Sequence, residues 1–485
     1  MTIEKLLELV REYNPEEVGI VKKAYEFAAE KHSGQKRDSG EPYIIHPLNV
    51  AYTLAEWHVD KDTLCAGLLH DVLEDSNVTK EEIASRFDPE IAELVDGVTK
   101  LSKLEFSSKE ERNLANIRKL YRAFLKDARV IFIKLADNCH NLSTLEYKAP
   151  EKQKENAAEA MIYYVPFAYH TGVYSIKNEM EDYALKYTYP DMYKKYSDIR
   201  EKIYLDNIDM LLEMKYKIER FLTDKGISHD VKLRVKNTFG IYKQVEMNEK
   251  KISSIHDLLA IKVIVDTIEN CYMGLMGVQS NYQQIDEYSK NWLHHPKLND
   301  YRSMHTVVFG PNNGKFVQFQ IRTFDMDKVD SYGLTALWDI NKGNTRFAMQ
   351  EALRKKYPFF NTILNIESSV SDNAEFLKMI KNDFLCAKVY VRSPNGEMVE
   401  LPKGSTPIDY AFYGNSDLGL SMYGVRISNN EMNNELVPFD YVLKNKDRIT
   451  ILNDVYDYGR VPKLEWADMA YTNNARKRIL SYYKK

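Results

Sequence analysis

The chain has 485 residues, enough for about three domains at roughly 150 residues each. Hydrophobic residues make up 44% and charged residues 28%, ordinary for a globular protein, and 20 Gly with 15 Pro are too few for long disordered or collagen-like stretches. Lys+Arg 67 against Asp+Glu 71 gives a net charge of -4, which argues against a general electrostatic grip on nucleic acid and leaves room for a local basic pocket.

No apolar run reaches the roughly 18 residues that span a bilayer. The start, Met1-Thr2-Ile3-Glu4-Lys5, lacks the basic-then-apolar pattern of a signal peptide. Cys65, Cys139, Cys271 and Cys386 are far apart in sequence, which argues against a disulfide framework or a thiolate zinc site. A cytoplasmic, reduced protein is expected.

In chain order, residues 1 to about 200 read as helical. Val18 to His32 and Asp62 to Leu73 carry apolar residues at helical spacing, and Pro89 follows Asp88, a good N-cap. Asn113 to Leu125 and Arg129 to Leu145 are two more amphipathic segments, and Pro150 and Pro166 punctuate the later helices. A helix rich in Met, Leu and Lys at about 205–225 serves as a connector. The period then changes. Leu258 to Val265 is an apolar run bounded by Asp257 and Asp266, which suits a buried strand. Ser303 to Phe309 and Phe316 to Arg322 flank Gly310-Pro311-Asn312-Asn313-Gly314, a β-hairpin signature. In the second strand Val317, Phe319 and Ile321 share one face; Gln318, Gln320 and Arg322 share the other. Residues 346–383 read as linking helix. A small α+β module follows: a hairpin of Lys388 to Val391 and Met398 to Leu401, a helix at Pro407 to Phe412, and a strand at Asp447 to Leu452. The remainder is short and helical.

The chemistry-bearing cluster is His46, the pair His70-Asp71, and Asp137. A divalent cation needs several N/O ligands converging from different elements, and these residues sit on otherwise apolar helices where uncompensated polar burial is costly. Glu74 and Asp75 lie at i+4 from His70 and Asp71, where a carboxylate can take a proton from an activated water. A His-Asp pair is also an ordinary surface feature of helices, and a single histidine an ordinary core residue. The order His, His-Asp, Asp is that of the HD phosphohydrolase superfamily. Arg37, with Ser39 close by, sits in a polar turn, where a guanidinium either holds a phosphate or is a solvated loop cation. Asn141 shares the helix face of Asp137 and can contact a ligand or orient the aspartate. In the middle segment the candidates are Arg234, Lys236, Asp257, Lys297, Tyr301, His305 and Gln320. Each also has a structural reading as a cap, a core ring or a solvated lysine. The face of Gln318, Gln320 and Arg322 lacks the carboxylate that phosphoryl transfer from ATP wants for metal binding.

These blocks resemble the long RelA/SpoT homologues, which make and degrade the guanosine alarmone (p)ppGpp. The resemblance rests on Arg37…Ser39-Gly40-Glu41-Pro42-Tyr43-Ile44-Ile45-His46-Pro47, Gly67 to Asp75, Val95 to Leu101 and Lys134 to Asn141, and it covers nearly the whole chain. It implies an all-α HD-type hydrolase domain at 1–200, an α+β synthetase-like domain of nucleotidyltransferase type at 201–345, a helical linker at 346–384, a small α+β TGS domain at 385–453 and a helical tail at 454–485. The first domain is then a manganese-dependent hydrolase releasing pyrophosphate from the ribose 3′ position. His46, His70, Asp71 and Asp137 match its metal ligands, Glu74 and Asp75 its catalytic acidic pair, and Arg37, Asn141 and Thr144 its nucleotide contacts. Asp38 stands where a lysine is usual, and Asn138 where an arginine is usual.

The middle domain resembles the family's synthetase, which moves pyrophosphate from ATP to GDP or GTP with Mg²⁺. Asp257 to Lys262, Tyr301 to Thr306 and Phe319 to Thr323 mark it. Gln318 stands where the family has a glutamate, Gly240 for a serine, Gln244 for a lysine and Leu337 for a histidine. An amide neither binds a metal nor accepts a proton well. A folded domain without synthesis, still able to bind guanine nucleotide, is expected. The third module resembles a TGS domain through Glu400 to Ala411, with Asn415 where a histidine linked to tRNA contact is usual. The chain ends soon after, so ribosome or tRNA coupling is not expected.

Overall fold

Apolar residues three and four apart fold the first part of the chain into packed helices. In the computed structural model the described residues are 1–100, 108–294, 296, 301–311, 314–336, 350–351, 353–355, 357–383, 388–396, 398–413, 418–429, 432–453 and 461–483. Leu101, Lys297, Asn312, Asn313, Leu337, Cys386 and Asn415 lie outside the described residues. The chain divides into two compact units, Met1–Thr99 with Arg129–Asn344, and Lys100–Ala128 with Thr345–Lys485. The helix Lys109–Lys126 therefore groups with the C-terminal half, although its sequence position is inside the expected first domain.

In the first unit, Ile45–Glu56, Lys61–Leu69, Pro89–Val98 and Arg129–Ser143 are the helices around the candidate site. Asp60 and Asp88 cap two of them by accepting from Thr63 N and Glu90 N. Val50, Leu54, Leu64, Leu68, Ile131 and Leu135 are all fully buried. Gly67 admits a close helix crossing, since a Cβ there would stand 2.6 Å from Leu54 Cδ1. The helix expected over Asp62 to Leu73 breaks: Lys61–Leu69 ends, His70 and Asp71 form a turn, and Val72–Asp75 restarts. His70 Nδ1 lies 2.8 Å from Gly67 O, the carbonyl that the Asp71 N–H would use in a continuing helix.

The second part of this unit is a five-stranded sheet. Its strands are β1 (His229–Val235), β2 (Leu259–Val265), β3 (Lys290–Asn291), β4 (Met304–Phe309) and β5 (Phe316–Thr323), in the order β1-β2-β5-β4-β3. β2 and β5 run parallel; the other pairs are antiparallel. Val317, Phe319 and Ile321 join the core with the helices Ile208–Asp224 and Ile268–Asn281. The opposite face is polar yet equally enclosed: Gln318 is 5% exposed and Arg322 0%.

The helical part and the sheet part of this unit touch through backbone. Leu334 N donates to Thr171 O at 2.8 Å. Gly172 and Gly333 have φ of +77 and +58, and a Cβ on Gly333 would stand 2.1 Å from Thr171 O. Asp182 accepts from Phe239 N at 2.7 Å and from Asn237 Nδ2 at 3.0 Å, anchoring the start of the short helix Thr238–Tyr242.

The second unit holds a sheet of β6 (Lys388–Arg392), β7 (Met398–Pro402), β8 (Met422–Ser428), β9 (Glu435–Val437) and β10 (Arg448–Asn453), ordered β7-β6-β10-β8-β9. Trp466, Ala470, Ala475 and Ile479 from the C-terminal helices pack into its core. Buried Asp409 joins the two segments, accepting from Thr406 N at 2.7 Å, Tyr471 N at 3.0 Å and Thr472 N at 2.8 Å. Among the described residues no helix is long and apolar enough to cross a membrane.

Candidate metal centre

Two helices and one turn deliver the site. His46 comes from the first turn of Ile45–Glu56, His70 and Asp71 from the turn between two helices, and Asp137 from Arg129–Ser143. Donor atoms of His46, His70 and Asp137, all buried, lie within 4.8 Å of one another. His46 Nε2 is 3.2 Å from Asp137 Oδ1 and 3.5 Å from Asp71 Oδ2. His70 Nε2 is 3.3 Å from Asp71 Oδ1 and 3.8 Å from Asp137 Oδ1, but it makes no hydrogen bond.

That orphaned nitrogen tests the fit of a cation. Donation from Nδ1 to Gly67 O leaves the lone pair on Nε2, pointing at two carboxylates. Burial pushes the His70 imidazole down, yet the Asp71 and Asp137 carboxylates outweigh burial and hold it up to about 9. The pocket thus carries surplus negative charge that either a proton or a divalent cation can neutralise. Mixed imidazole and carboxylate ligands suit a first-row divalent ion, and the residues present fit one.

The surroundings aim each ligand. Asp137 Oδ2 accepts from Lys134 Nζ at 2.6 Å and Oδ1 from Asn141 Nδ2 at 2.6 Å, so Oδ1 is the oxygen facing the imidazoles. Although burial opposes ionisation, Lys134 holds the Asp137 carboxyl well below the usual carboxylate range. His46 Nδ1 is 2.9 Å from His140 Nδ1. Burial, with His46 and Arg37 beside it, pushes His140 down to about 3, so it stays neutral and accepts the His46 proton. His46 Nε2 then carries the lone pair, on the side of Asp137 and Asp71. Tyr43 OH donates to Asp71 Oδ2 at 2.9 Å.

Beyond the ligands, Arg37 Nη2 donates to Asn141 Oδ1 at 2.9 Å and to Thr144 Oγ1 at 3.3 Å, so those three expected residues do meet. Ser39 turns instead to Glu41 Oε2, at 3.2 Å. Glu74 is half-buried and Asp75 exposed on the short helix after Asp71. Tyr43, Lys134 and His140 carry no assignment from sequence. Their only signal is spacing: Lys134 and His140 flank Asp137 by three residues, and Tyr43 precedes His46 by three.

On the polar face of the first sheet, Arg322 Nη2 donates to Tyr301 OH and to Gln320 Oε1, each at 3.0 Å, and Gln320 Nε2 donates to Gln318 Oε1 at 2.7 Å. Tyr301 OH is 2.7 Å from His305 Nε2. A guanidinium has only donors, so it fixes the sense of this amide chain, and Gln318 is left with its NH₂ uncommitted within it. Arg322 also pairs with Asp330, and Lys236 pairs with Asp257. Cross-strand register places Arg234, through Ala260, in the same row as Gln318.

Comparison with known proteins agrees with this layout. Family models match residues 24–174 as an HD domain, 233–345 as a region found in RelA/SpoT proteins, and 388–453 as a TGS domain. Guanosine-3′,5′-bis(diphosphate) 3′-pyrophosphohydrolase of Aquifex aeolicus is 36% identical over 100% of this chain and 67% of its own length. Bifunctional (p)ppGpp synthase/hydrolase SpoT of Escherichia coli K12 is 34% identical over 99% of this chain and 67% of its own. GTP pyrophosphokinase of Myxococcus xanthus is 35% identical over 98% and 62%. The chain spans about two thirds of the length of these relatives. With three matched regions and similarity running end to end, the chain belongs to the RelA/SpoT family.

Proposed function

We propose that this chain hydrolyses (p)ppGpp to GDP or GTP and pyrophosphate with Mn²⁺, and that its synthetase-like domain does not synthesise. The observation that carries the hydrolase reading is the buried His46, His70 and Asp137 cluster, in which His70 Nε2 has no hydrogen-bond partner while Nδ1 meets Gly67 O. A divalent ion held by these residues and Asp71 supplies Lewis acidity, lowering the pKa of a water and drawing charge from a phosphoryl group. Lys134, Asn141 and His140 keep the ligand atoms oriented. Arg37, steadied by Asn141 and Thr144, holds a substrate phosphate. Water oxygen adds to the phosphorus bonded to ribose O3′, the P–O3′ bond breaks, Glu74 or Asp75 takes the water proton, and a proton returns to O3′.

Against synthesis stand the amide of Gln318 and the ion pair that occupies Asp257. A paired assay tests both halves. Purified chain with Mn²⁺ and ppGpp should release pyrophosphate; with Mg²⁺, ATP and GDP it should make no ppGpp. Both reactions would sink the second half, and neither would leave a nucleotide-binding regulator. Asp71→Ala and Asp137→Ala should each abolish hydrolysis with the fold retained, and turnover in either variant removes that residue from the ligand set.

A further inference from the structure

The Tyr43 ring is clamped from several sides. It stacks on His32 with centroids 4.7 Å apart and 27° between planes, meets His46 edge-on at 6.3 Å, and lies 5.9 Å from the Arg37 guanidinium. Its backbone N–H donates to Gln35 O at 3.0 Å. The phenol therefore has a fixed reach, and it ends on Asp71 Oδ2 at 2.9 Å with the Asp75 carboxylate beside it. Asp71 needs such a hold. It sits in a two-residue turn with a side chain 17% exposed, and it stands just outside the three-donor cluster of His46, His70 and Asp137.

We propose that Tyr43 is a positioning residue of the metal centre, its hydroxyl fixing the Asp71 carboxylate so that Oδ1 faces His70 and completes the ligand set. This rests on the hydrolase reading. A hydroxyl has one proton, so while Asp71 receives it, Asp75 stays free to accept a proton from elsewhere. The ring has a separate task, supporting Arg37, and the two roles can be told apart. Tyr43→Phe removes the hydroxyl and keeps the ring.

Calorimetric titration of the full chain with Mn²⁺, without nucleotide, should show Tyr43→Phe binding about 10-fold more weakly or worse, the usual loss when an outer hydrogen bond to a metal ligand goes. At saturating Mn²⁺, kcat for ppGpp should still fall, while KM stays within about twofold. Asp71→Ala gives the second arm: adding Tyr43→Phe to it should weaken Mn²⁺ binding no further, because both changes remove one interaction. Unchanged Mn²⁺ affinity in Tyr43→Phe, or additive losses in the double variant, overturns the inference alone. A wild-type chain that neither binds Mn²⁺ nor hydrolyses ppGpp overturns the hydrolase reading and the inference with it.

Discussion

Lys134 shows how much of the site depends on one side chain outside the ligand set. Its ammonium is 12% exposed and neutralises an Asp137 carboxylate that is 6% exposed. Removing one partner of a buried pair leaves the other uncompensated, at a cost of about 3–5 kcal/mol. Lys134→Met should therefore lower the unfolding midpoint in EDTA, and added Mn²⁺ should recover more stability in the variant than in wild type; equal Mn²⁺ shifts would show that Lys134 and the ion do not share Asp137. The cluster of His46, His70 and Asp137 is legible in the sequence because His and Asp on apolar helices demand partners. Tyr43, Lys134 and His140 are not, because whether their side chains reach the cluster depends on the crossing of helices distant in sequence. His140 is separated from His46 by 94 positions yet lies 2.9 Å away.

Among the elements, β5 is the most informative. Its alternation and the glycine-bounded turn before it make the β4–β5 hairpin readable from sequence. Its parallel pairing with β2 is not, because β2, apolar except for Lys262, has no period that tells of its neighbour. Nor does alternation reveal that Gln318, Gln320 and Arg322 face an enclosed space rather than water. Within that space Gln318→Glu keeps the acceptor for Gln320 Nε2, so the strand should stay paired and the protein folded. On the proposed reading of a domain that does not synthesise, production of ppGpp from ATP and GDP should rise to a detectable trace, limited by the pairing of Lys236 with Asp257. A full recovery of synthesis would show that the amide is the sole block. The helix break at His70 is likewise invisible beforehand, since it is a side-chain hydrogen bond that displaces a backbone one.

For the molecule as a whole, the C-terminal segment is part of the core of the second unit, which its short, polar sequence hides. Asp383 marks this join, lying within 3.5 Å of Asn473 N and 3.4 Å of Asn473 Nδ2. Burial pushes its carboxyl up to about 6. A raised carboxyl contributes stability that is complete below the unfolded pKa, about 3.9, and lost as pH rises through about 6. Asp383→Asn should abolish that loss, leaving the variant more stable than wild type at pH 7 by about 1–3 kcal/mol and no more stable at pH 4. Thermal unfolding at the two pH values reads this directly, and a variant less stable at both would show that the charged form is the one the fold needs. In the first unit, Gly333→Ala would set a methyl against Thr171 O in a backbone region that disfavours side chains, so a loss of at least about 2 kcal/mol is expected on the same thermal scan.

The glycine pair Gly172 and Gly333 also bears on engineering. Where main chain rests on main chain, no side chain is available to absorb a change in fit. A chimaera that grafts a foreign nucleotide-transfer module onto this helical half must import its own counterpart of Gly333 in register. Failing that, surface redesign elsewhere along the seam will not restore the junction.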